Sequence, residues 1–432
     1  MCQSKHYHEI NVGIVGFGTV GSGTAHLLLE NKDIIKERVG IPVNLKTIAD
    51  LDITTDRGVK VPKEILTTDA MDIINDDNIQ IVVETVGGCG FAKDILIKAI
   101  KAGKNVVTAN KELIAKHGKE LLPLAKEYGV DFMFEASVGG GIPIIGPLKN
   151  SLAGNKIIEI VGIVNGTTNY ILTKMKDEGL DFDFVLKDAQ SKGYAEANPT
   201  ADVDGFDATY KLSILSSIAY NSRCDYSKIY REGIREITTE DIQYANEMGY
   251  EIKLLAISNE TDGKIQARVH PTLISKDHPL ASVSGVMNAI YIKANGVHES
   301  MYYGPGAGSV ATGSAIVGDI IESARNVIAN NTARIPCKCF YDKPVADMDD
   351  LYTKNYIRIL VKDKPGCIAS ISRIFADNNV SLESIIQKST EKGFATIVWL
   401  TQEAKEKQIN KSIQEIKELP VVEKILNKIR VL

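Results

Sequence analysis

INVGIVGFGTVGSG, residues 10–23, is the stretch whose reading decides the architecture. Ile10–Val15 is a short apolar run of buried-strand character. Gly16, Gly18 and Gly21 follow in a G-x-G-x-x-G spacing, and a helical pattern continues through Leu27, Leu28 and Leu29. The spacing alone is weak evidence. Between a strand and a helix it marks a loop that cradles a dinucleotide pyrophosphate. Gly16 permits the tight turn, Gly18 lets phosphate approach the backbone, and Gly21 lets the helix pack close to the sheet. The helix N-terminus adds amide donors and a partial positive charge.

Outward from this loop, Val43–Ala49, Ile79–Val83 and Asn105–Val107 read as further strands, and Ala92–Ala102 as a helix that stops at Gly103. Such alternation implies a parallel sheet covered on both faces. The expected fold class is α/β, with a Rossmann-type dinucleotide-binding domain over residues 1–135 and about 305–330. Residues 314–329 have helical spacing and are expected to return to that domain. A second, α+β domain is expected over 136–304, from strands at Ile157–Val164, Lys264–His270 and Ala289–Lys293 and a helix at Ala208–Tyr220. Residues 331–354 are polar, hold Pro336 and Pro344, and read as a linker. Over 355–432 the pattern is strand Tyr356–Val361, helix Cys367–Asn378, strand Ala395–Leu400, helix Glu403–Ile416 and strand Val421–Val431. These five elements suggest a compact ferredoxin-like module of order β-α-β-β-α-β, one strand short of the full set.

The net charge of −5 offers no global field for nucleic acid or an anionic membrane. No apolar run is long enough to span a bilayer, and MCQSKHYHEI is no signal peptide. Cys2, Cys89, Cys224, Cys337, Cys339 and Cys367 are scattered and read as reduced thiols of a cytoplasmic protein. Cys337 and Cys339 form a C-x-C pair, but no second Cys or His pair stands near to complete a zinc site. They read as two small residues beside the linker.

At the end of the second strand, Asp50 can hold the adenosine ribose hydroxyls and repel a 2′-phosphate, which favours NAD over NADP. Arg57 is the nearest downstream cation. Two more strands end in polar residues, at Glu84-Thr85 and at Thr108-Ala109-Asn110-Lys111. Ligands bind beyond the carboxyl ends of such strands, so Lys111 points towards the nicotinamide region. The richest segment is SKGYAEANPTADVDGFDATYKL, residues 191–212. Glu196, Asp202, Asp204 and Asp207 gather there, as carboxylates do around a cation such as an α-amino group. Asp207 and Lys211 stand at i and i+4 and share a helix face. A lysine so placed can shuttle a proton, with burial or a nearby cation such as Lys111 lowering its pKa. Taken alone, the segment also fits a solvated acidic loop followed by an ordinary helix ion pair.

The segments GIVGFGTVGSG (13–23), ETVGG (84–88), VTANKELIAKHG (107–118), EASVGGGIPII (135–145), VNGTTNYIL (164–172), GYAEANPTADVDGFDATYKL (193–212) and GPGAGSVATGSAIVGD (304–319) closely resemble homoserine dehydrogenases, in family order. The resemblance implies NAD(P)-dependent interconversion of homoserine and aspartate semialdehyde, on the route to threonine, methionine and isoleucine. It gives 136–304 a catalytic and dimerisation role. Lys211 matches the proton donor, and Lys111 the second lysine at the reacting centre. Glu196 and Asp207 match substrate-binding carboxylates, with Asp202 and Tyr194 in the same loop. Gly166 and Thr167 match substrate contacts, and Phe17, Thr19, Val20 and Gly306 cofactor contacts. Glu135, Val138, Gly140 and Ile142 match a sodium site; a glycine-rich corner without an ion fits them equally. Leu51 and Thr55 stand where NADP-preferring members often carry arginine.

Residues 355–432 resemble an ACT domain, with Asp363-Lys364-Pro365-Gly366 in its ligand turn. That resemblance implies an amino-acid effector, threonine by pathway logic, and a homodimer or homotetramer. A module that only dimerises is the alternative. Two competing functions are weighed. A non-catalytic sensor requires Lys111 or Lys211 to be replaced, and both are present. A hydroxy-acid dehydrogenase requires a His–carboxylate pair, and none of the seven histidines sits in such a motif.

Overall fold

Residues 7–391 and 393–432 are described in the computed structural model; Cys2 lies outside them. The chain forms two compact units. One comprises residues up to Ile158 with Tyr210–Tyr226 and Asn288–Asp342, and the other Glu159–Thr209, Ser227–Met287 and Lys343–Leu432.

In the first unit, β1 (Ile10–Val15), β2 (Val43–Ala49), β3 (Leu66–Thr67), β4 (Ile81–Glu84), β5 (Asn105–Thr108) and β6 (Phe132–Met133) build one sheet. Its order is β3-β2-β1-β4-β5-β6, and every neighbouring pair is parallel. This is the Rossmann order, with its switch point beyond the carboxyl ends of β1 and β4. β1, β4 and β5 are buried at every position, which is why they read as unbroken apolar runs. Helix Gly90–Lys101 buries Ala92, Ile95, Leu96, Ala99 and Ile100, one stripe at helical spacing.

The expected return helix is present and starts earlier, as Ser309–Ile328. Ile316, Ile320 and Ala324 join Ile10, Val12 and Ile14 in one core. Two glycines let its backbone touch helix Thr19–Glu30. A Cβ on Gly23 would lie 2.1 Å from the Ser309 carbonyl oxygen, and one on Gly313 2.7 Å from the Gly23 carbonyl carbon.

In the second unit, strands Ile157–Ile163, Tyr250–Thr261, Lys264–Ser275, Val422–Val431, Tyr352–Lys362, Phe394–Thr401 and Leu382–Glu391 lie side by side in that order. Two of these strands, Tyr250–Thr261 and Leu382–Glu391, were not marked by the periodicity. The first carries Glu251 and Lys253, which break an apolar pattern yet are buried. Lys253 Nζ donates to the Val283 carbonyl at 2.6 Å, and Glu251 pairs with Lys176 at 2.8 Å. Leu382–Glu391 lies at the end of the sheet, and its described positions are exposed or half-buried.

The C-terminal module shares this sheet. Thr272 and Leu273 pair in parallel with Arg430 and Val431. Part of the presumed linker is strapped down too. The Ile265 N–H donates to the Pro344 carbonyl at 2.9 Å, and the Ala346 N–H to the Ile265 carbonyl at 2.8 Å. Buried ions line the seam. Arg358 Nε donates to Asp241 at 2.7 Å and its Nη2 to Thr238 at 2.9 Å. Asp241 also closes a capping box with Thr238 on helix Thr239–Glu247. Arg430 Nη1 reaches Glu232 at 2.8 Å, while Arg430 Nε and Lys428 Nζ converge on Glu406.

Candidate active site

The three loop glycines differ physically as their spacing implies. Gly16 has φ +103°. A Cβ on Gly21 would lie 1.9 Å from the Gly16 carbonyl oxygen, whereas a Cβ on Gly18 would meet nothing within 4 Å. Gly18 therefore faces open space at the amino end of helix Thr19–Glu30, where no side chain caps the free amides. That cradle fits a pyrophosphate. Phe17, Thr19 and Val20 lie on the same turn. The Phe17 N–H donates to Asp50 Oδ2 at 2.5 Å. Asp50 thus braces the loop as well as closing β2. Arg57 is tied to Asp52 at 3.0 Å. The hydroxyl and backbone N–H of Thr55, followed by those of Thr54, hold the Asp52 carboxyl well below the usual carboxylate range.

Gly18→Ala is expected to leave stability within about 0.5 kcal/mol and to weaken dinucleotide binding tenfold or more, since about 1.4 kcal/mol corresponds to tenfold. Gly21→Ala should lower both affinity and stability, the latter by about 1–3 kcal/mol of overpacking. Thermal melts beside cofactor titrations check this; an unimpaired Gly18→Ala affinity would remove the loop from the site.

At the next strand ends, buried Glu84 accepts from Val86 N–H at 2.8 Å, Gly87 N–H at 3.0 Å and Thr108 Oγ1 at 2.6 Å. Asn110 caps the helix that follows, accepting from Leu113 N–H at 3.0 Å and donating to the Gly88 carbonyl at 2.6 Å. Lys111 is thereby the first residue of helix Lys111–Glu127, at the carboxyl end of β5.

In the second unit, Asn165 gathers the carboxylate loop. Its side-chain amide donates to Asp202 at 2.7 Å and to Asp207 at 2.9 Å. Its oxygen accepts from Thr168 N–H at 2.9 Å, capping helix Gly166–Glu178. Thr167 Oγ1 donates to the Tyr194 carbonyl at 2.6 Å. Gly166, Thr167, Tyr194, Asp202 and Asp207 are thus connected through adjacent residues. Asp204 is taken by Arg235 at 2.6 Å. Glu196 is exposed, and among the described residues its carboxylate has no hydrogen-bond partner; its carbonyl accepts from Gln190 at 3.0 Å. Asp207 and Lys211 stand one turn apart on helix Phe206–Ala219, only 6% and 7% exposed. Asn165 lies within VNGTTNYIL (164–172), and the sequence reading gives it no role of its own. Its signal was legible: Asn directly before a helical stretch is a preferred N-cap.

At the glycine-rich corner, the Glu135 carboxylate accepts from the backbone N–H groups of Ile144, Ile145 and Gly146 at 2.6, 2.7 and 2.6 Å. Gly139 and Gly140 have φ +74° and +56°. A Cβ on Gly140 would lie 2.5 Å from the Gly306 carbonyl oxygen, and one on Gly306 1.9 Å from the Asn288 amide nitrogen. Among the described residues neither polar atom of the fully buried Asn288 side chain has a hydrogen-bond partner.

Family models match residues 16–135 (homoserine dehydrogenase, NAD binding domain), 143–321 (homoserine dehydrogenase) and 355–421 (ACT domain). A homoserine dehydrogenase of Neisseria gonorrhoeae is 42% identical, covering 98% of each chain. The chain belongs to the homoserine dehydrogenase family. A homoserine dehydrogenase structure from Thiobacillus denitrificans matches with TM-score 0.92 at 41% identity, over 98% of both chains. A hyperthermophilic archaeal homoserine dehydrogenase in complex with NADPH matches with TM-score 0.62 at 33% identity, over 73% of this chain and 97% of that one. The fold class expected from sequence holds: a Rossmann-type sheet, a mixed-sheet catalytic domain and an ACT domain. As a homoserine dehydrogenase the protein is an NAD(P)-dependent oxidoreductase. No described helix is long and apolar enough to cross a membrane.

Proposed function

We propose that the protein interconverts L-homoserine and L-aspartate 4-semialdehyde at the Asp202–Asp207–Lys211 segment, prefers NAD, and is restrained by threonine through its ACT module. The observation that carries the catalytic reading is Asn165, which holds Asp202 and Asp207 at the start of the helix that bears Lys211. Residues 1–135 with 305–330 hold the dinucleotide, 136–304 the substrate, and 355–432 the effector, with 331–354 between them.

Glu196, Asp202 and Asp207 receive the α-amino group. Tyr194, Gly166 and Thr167 complete the substrate contacts. Lys211 gives its proton to the carbonyl oxygen as it becomes an alcohol, and Lys111 supports the same oxygen. Orientation and electrostatics are the protein's contribution; the nicotinamide, when bound on Gly16–Gly21 and Gly306, supplies the hydride. Asp50 and Asp52 face the adenosine end with two carboxylates, and Asp52 occupies Arg57. That charge balance disfavours a 2′-phosphate and supports NAD.

For sodium, the carbonyls of Val138, Gly140 and Ile142 are hard oxygen donors. The Glu135 carboxylate already serves three amides, so its part is to shape the corner. The partnerless Asn288 amide beside Gly306 suits a nearby ion or water. The effector reading rests on the shared sheet and the buried ions that join the module to helix Thr239–Glu247 and the loop before it. That loop also touches the carboxylate segment, through Ile234 N–H to the Val203 carbonyl at 2.9 Å and Arg235 to Asp204. A cytoplasmic homodimer or homotetramer completes the reading.

The test is nicotinamide absorbance with homoserine, using NAD and NADP, each with and without threonine. The expected result is turnover with a higher kcat/KM for NAD, quenched by threonine. A higher kcat/KM with NADP overturns the cofactor preference, indifference to threonine overturns the effector, and no turnover with either cofactor overturns the substrate assignment.

A further inference from the structure

Cys337 and Cys339 belong to neither the cofactor loop nor the carboxylate segment. Their Sγ atoms are 3.3 Å apart. Arg223 Nη2 lies 3.3 Å from Cys337 Sγ and donates to the Gly118 carbonyl at 3.0 Å, so the guanidinium is anchored beside the sulfur. Cys339 Sγ sits 3.8 Å from the Ser217 carbonyl. Just beyond, Tyr341 N–H donates to the Asn221 carbonyl at 3.0 Å and fixes the segment. Both cysteines, Arg223, Ser217 and Lys149 line a cavity of about 740 Å³ in the first unit, and no residue of Gly16–Gly21 lines it. Cys224 lines the same cavity, but among the described residues no group of three or more His, Cys, Asp or Glu side chains could hold a metal ion.

The two thiols are unequal. The Cys339 thiol beside it, with Arg223 and Lys149, holds the Cys337 thiol below its ordinary value against burial. Cys339 is pushed well above the usual thiol range by the same contact and by burial. Cys224 and Cys367 are buried, and burial raises both thiols.

We propose that Cys337 and Cys339 form a reactive dithiol site that exchanges with small disulfides of the glutathione type and closes to an intramolecular disulfide. Cys337 is the nucleophile and Cys339 resolves. The Cys337 thiolate attacks one sulfur of the small disulfide, forming a mixed disulfide and expelling one small thiolate. Cys339 loses its proton to solvent, attacks Cys337 Sγ and expels the second small thiolate. Two protein thiols are oxidised and one small disulfide is reduced to two thiols.

The experiment exposes the reduced full-length protein to oxidised glutathione, unfolds it in acid-quenched denaturant, blocks remaining thiols with iodoacetamide and digests with trypsin. Cleavage after Lys338 leaves Cys337 and Cys339 on separate peptides, joined only if the disulfide has formed. The expected result is the linked pair, with Cys224 and Cys367 recovered alkylated. Cys339→Ser should trap glutathione on Cys337, and Arg223→Met should slow its capture about tenfold by removing the adjacent cation. Recovery of both cysteines alkylated from the wild type overturns the site. A stable mixed disulfide on wild-type Cys337 overturns the resolving role of Cys339.

Discussion

Lys211→Ala is expected to lower turnover by about 10²–10⁴-fold, the range a positioned general acid contributes. Lys211 is 7% exposed, so solvent cannot readily supply the lost proton. Alanine keeps the helix, because helix Phe206–Ala219 does not need this side chain for its propensity. The loss should therefore fall on kcat, with KM for homoserine changed less. Asp207→Asn is expected to show the opposite balance, because it removes charge from the proposed amino-group site and leaves Lys211, the proposed proton donor, in place. Steady-state kinetics with saturating cofactor check both. A Lys211→Ala enzyme within tenfold of wild type would move the proton donor elsewhere. Asn165→Ala should damage both parameters, since it releases Asp202 and Asp207 together and removes a helix cap worth about 1 kcal/mol.

Glu406→Ala is expected to destabilise the second unit by about 3–5 kcal/mol, the cost of leaving buried partners of an ion pair uncompensated. Glu406 is fully buried and accepts from Arg430, Lys428 and Thr353. Burial raises its pKa, but Arg430 and Lys428 outweigh that and hold it at about 2, against an ordinary 4.5. A carboxyl whose folded pKa is depressed stabilises the fold above its unfolded pKa. That contribution is present above pH 4.5 and is lost as pH falls towards 2. Its size is about 3 kcal/mol at 1.36 kcal/mol per unit. Denaturant titrations at neutral pH and near pH 3 should show this loss in the wild type and a flattened acid dependence in Glu406→Gln. An unchanged midpoint in Glu406→Ala would mean that the seam relaxes around the missing charge. Because Arg430 sits on the strand that joins the module to Lys264–Ser275, the variant should also blunt the proposed response to threonine.

The positions of β1 and β2 were legible to the residue, and β4 and β5 nearly so. Strands buried on both faces must be apolar throughout, and the glycine loop between β1 and its helix has few other uses. The roles of Gly16, Gly18 and Gly21 followed from steric limits that act within a few residues. The acidic segment was visible as four carboxylates close together in sequence, and the family resemblance, not their spacing, separated a binding loop from a solvated one. Other features were hidden because their cause lies far along the chain. Glu251 and Lys253 mask a buried strand until Val283 and Lys176 supply their partners. Asp204 looks equivalent to its neighbours until Arg235 claims it.

Local sequence by itself determined the strand, glycine loop and helix of the dinucleotide-binding domain, the clustering of Lys211 with its neighbouring carboxylates, and the ferredoxin-like pattern of the last domain. Those rest on short-range sterics and periodicity. Only the tertiary structure decided that Asn165 gathers two carboxylates, that the C-terminal strand extends the catalytic sheet, and that Arg223 stands against Cys337. Each of these needs residues distant in sequence to be brought within hydrogen-bonding distance, and no local pattern encodes that distance.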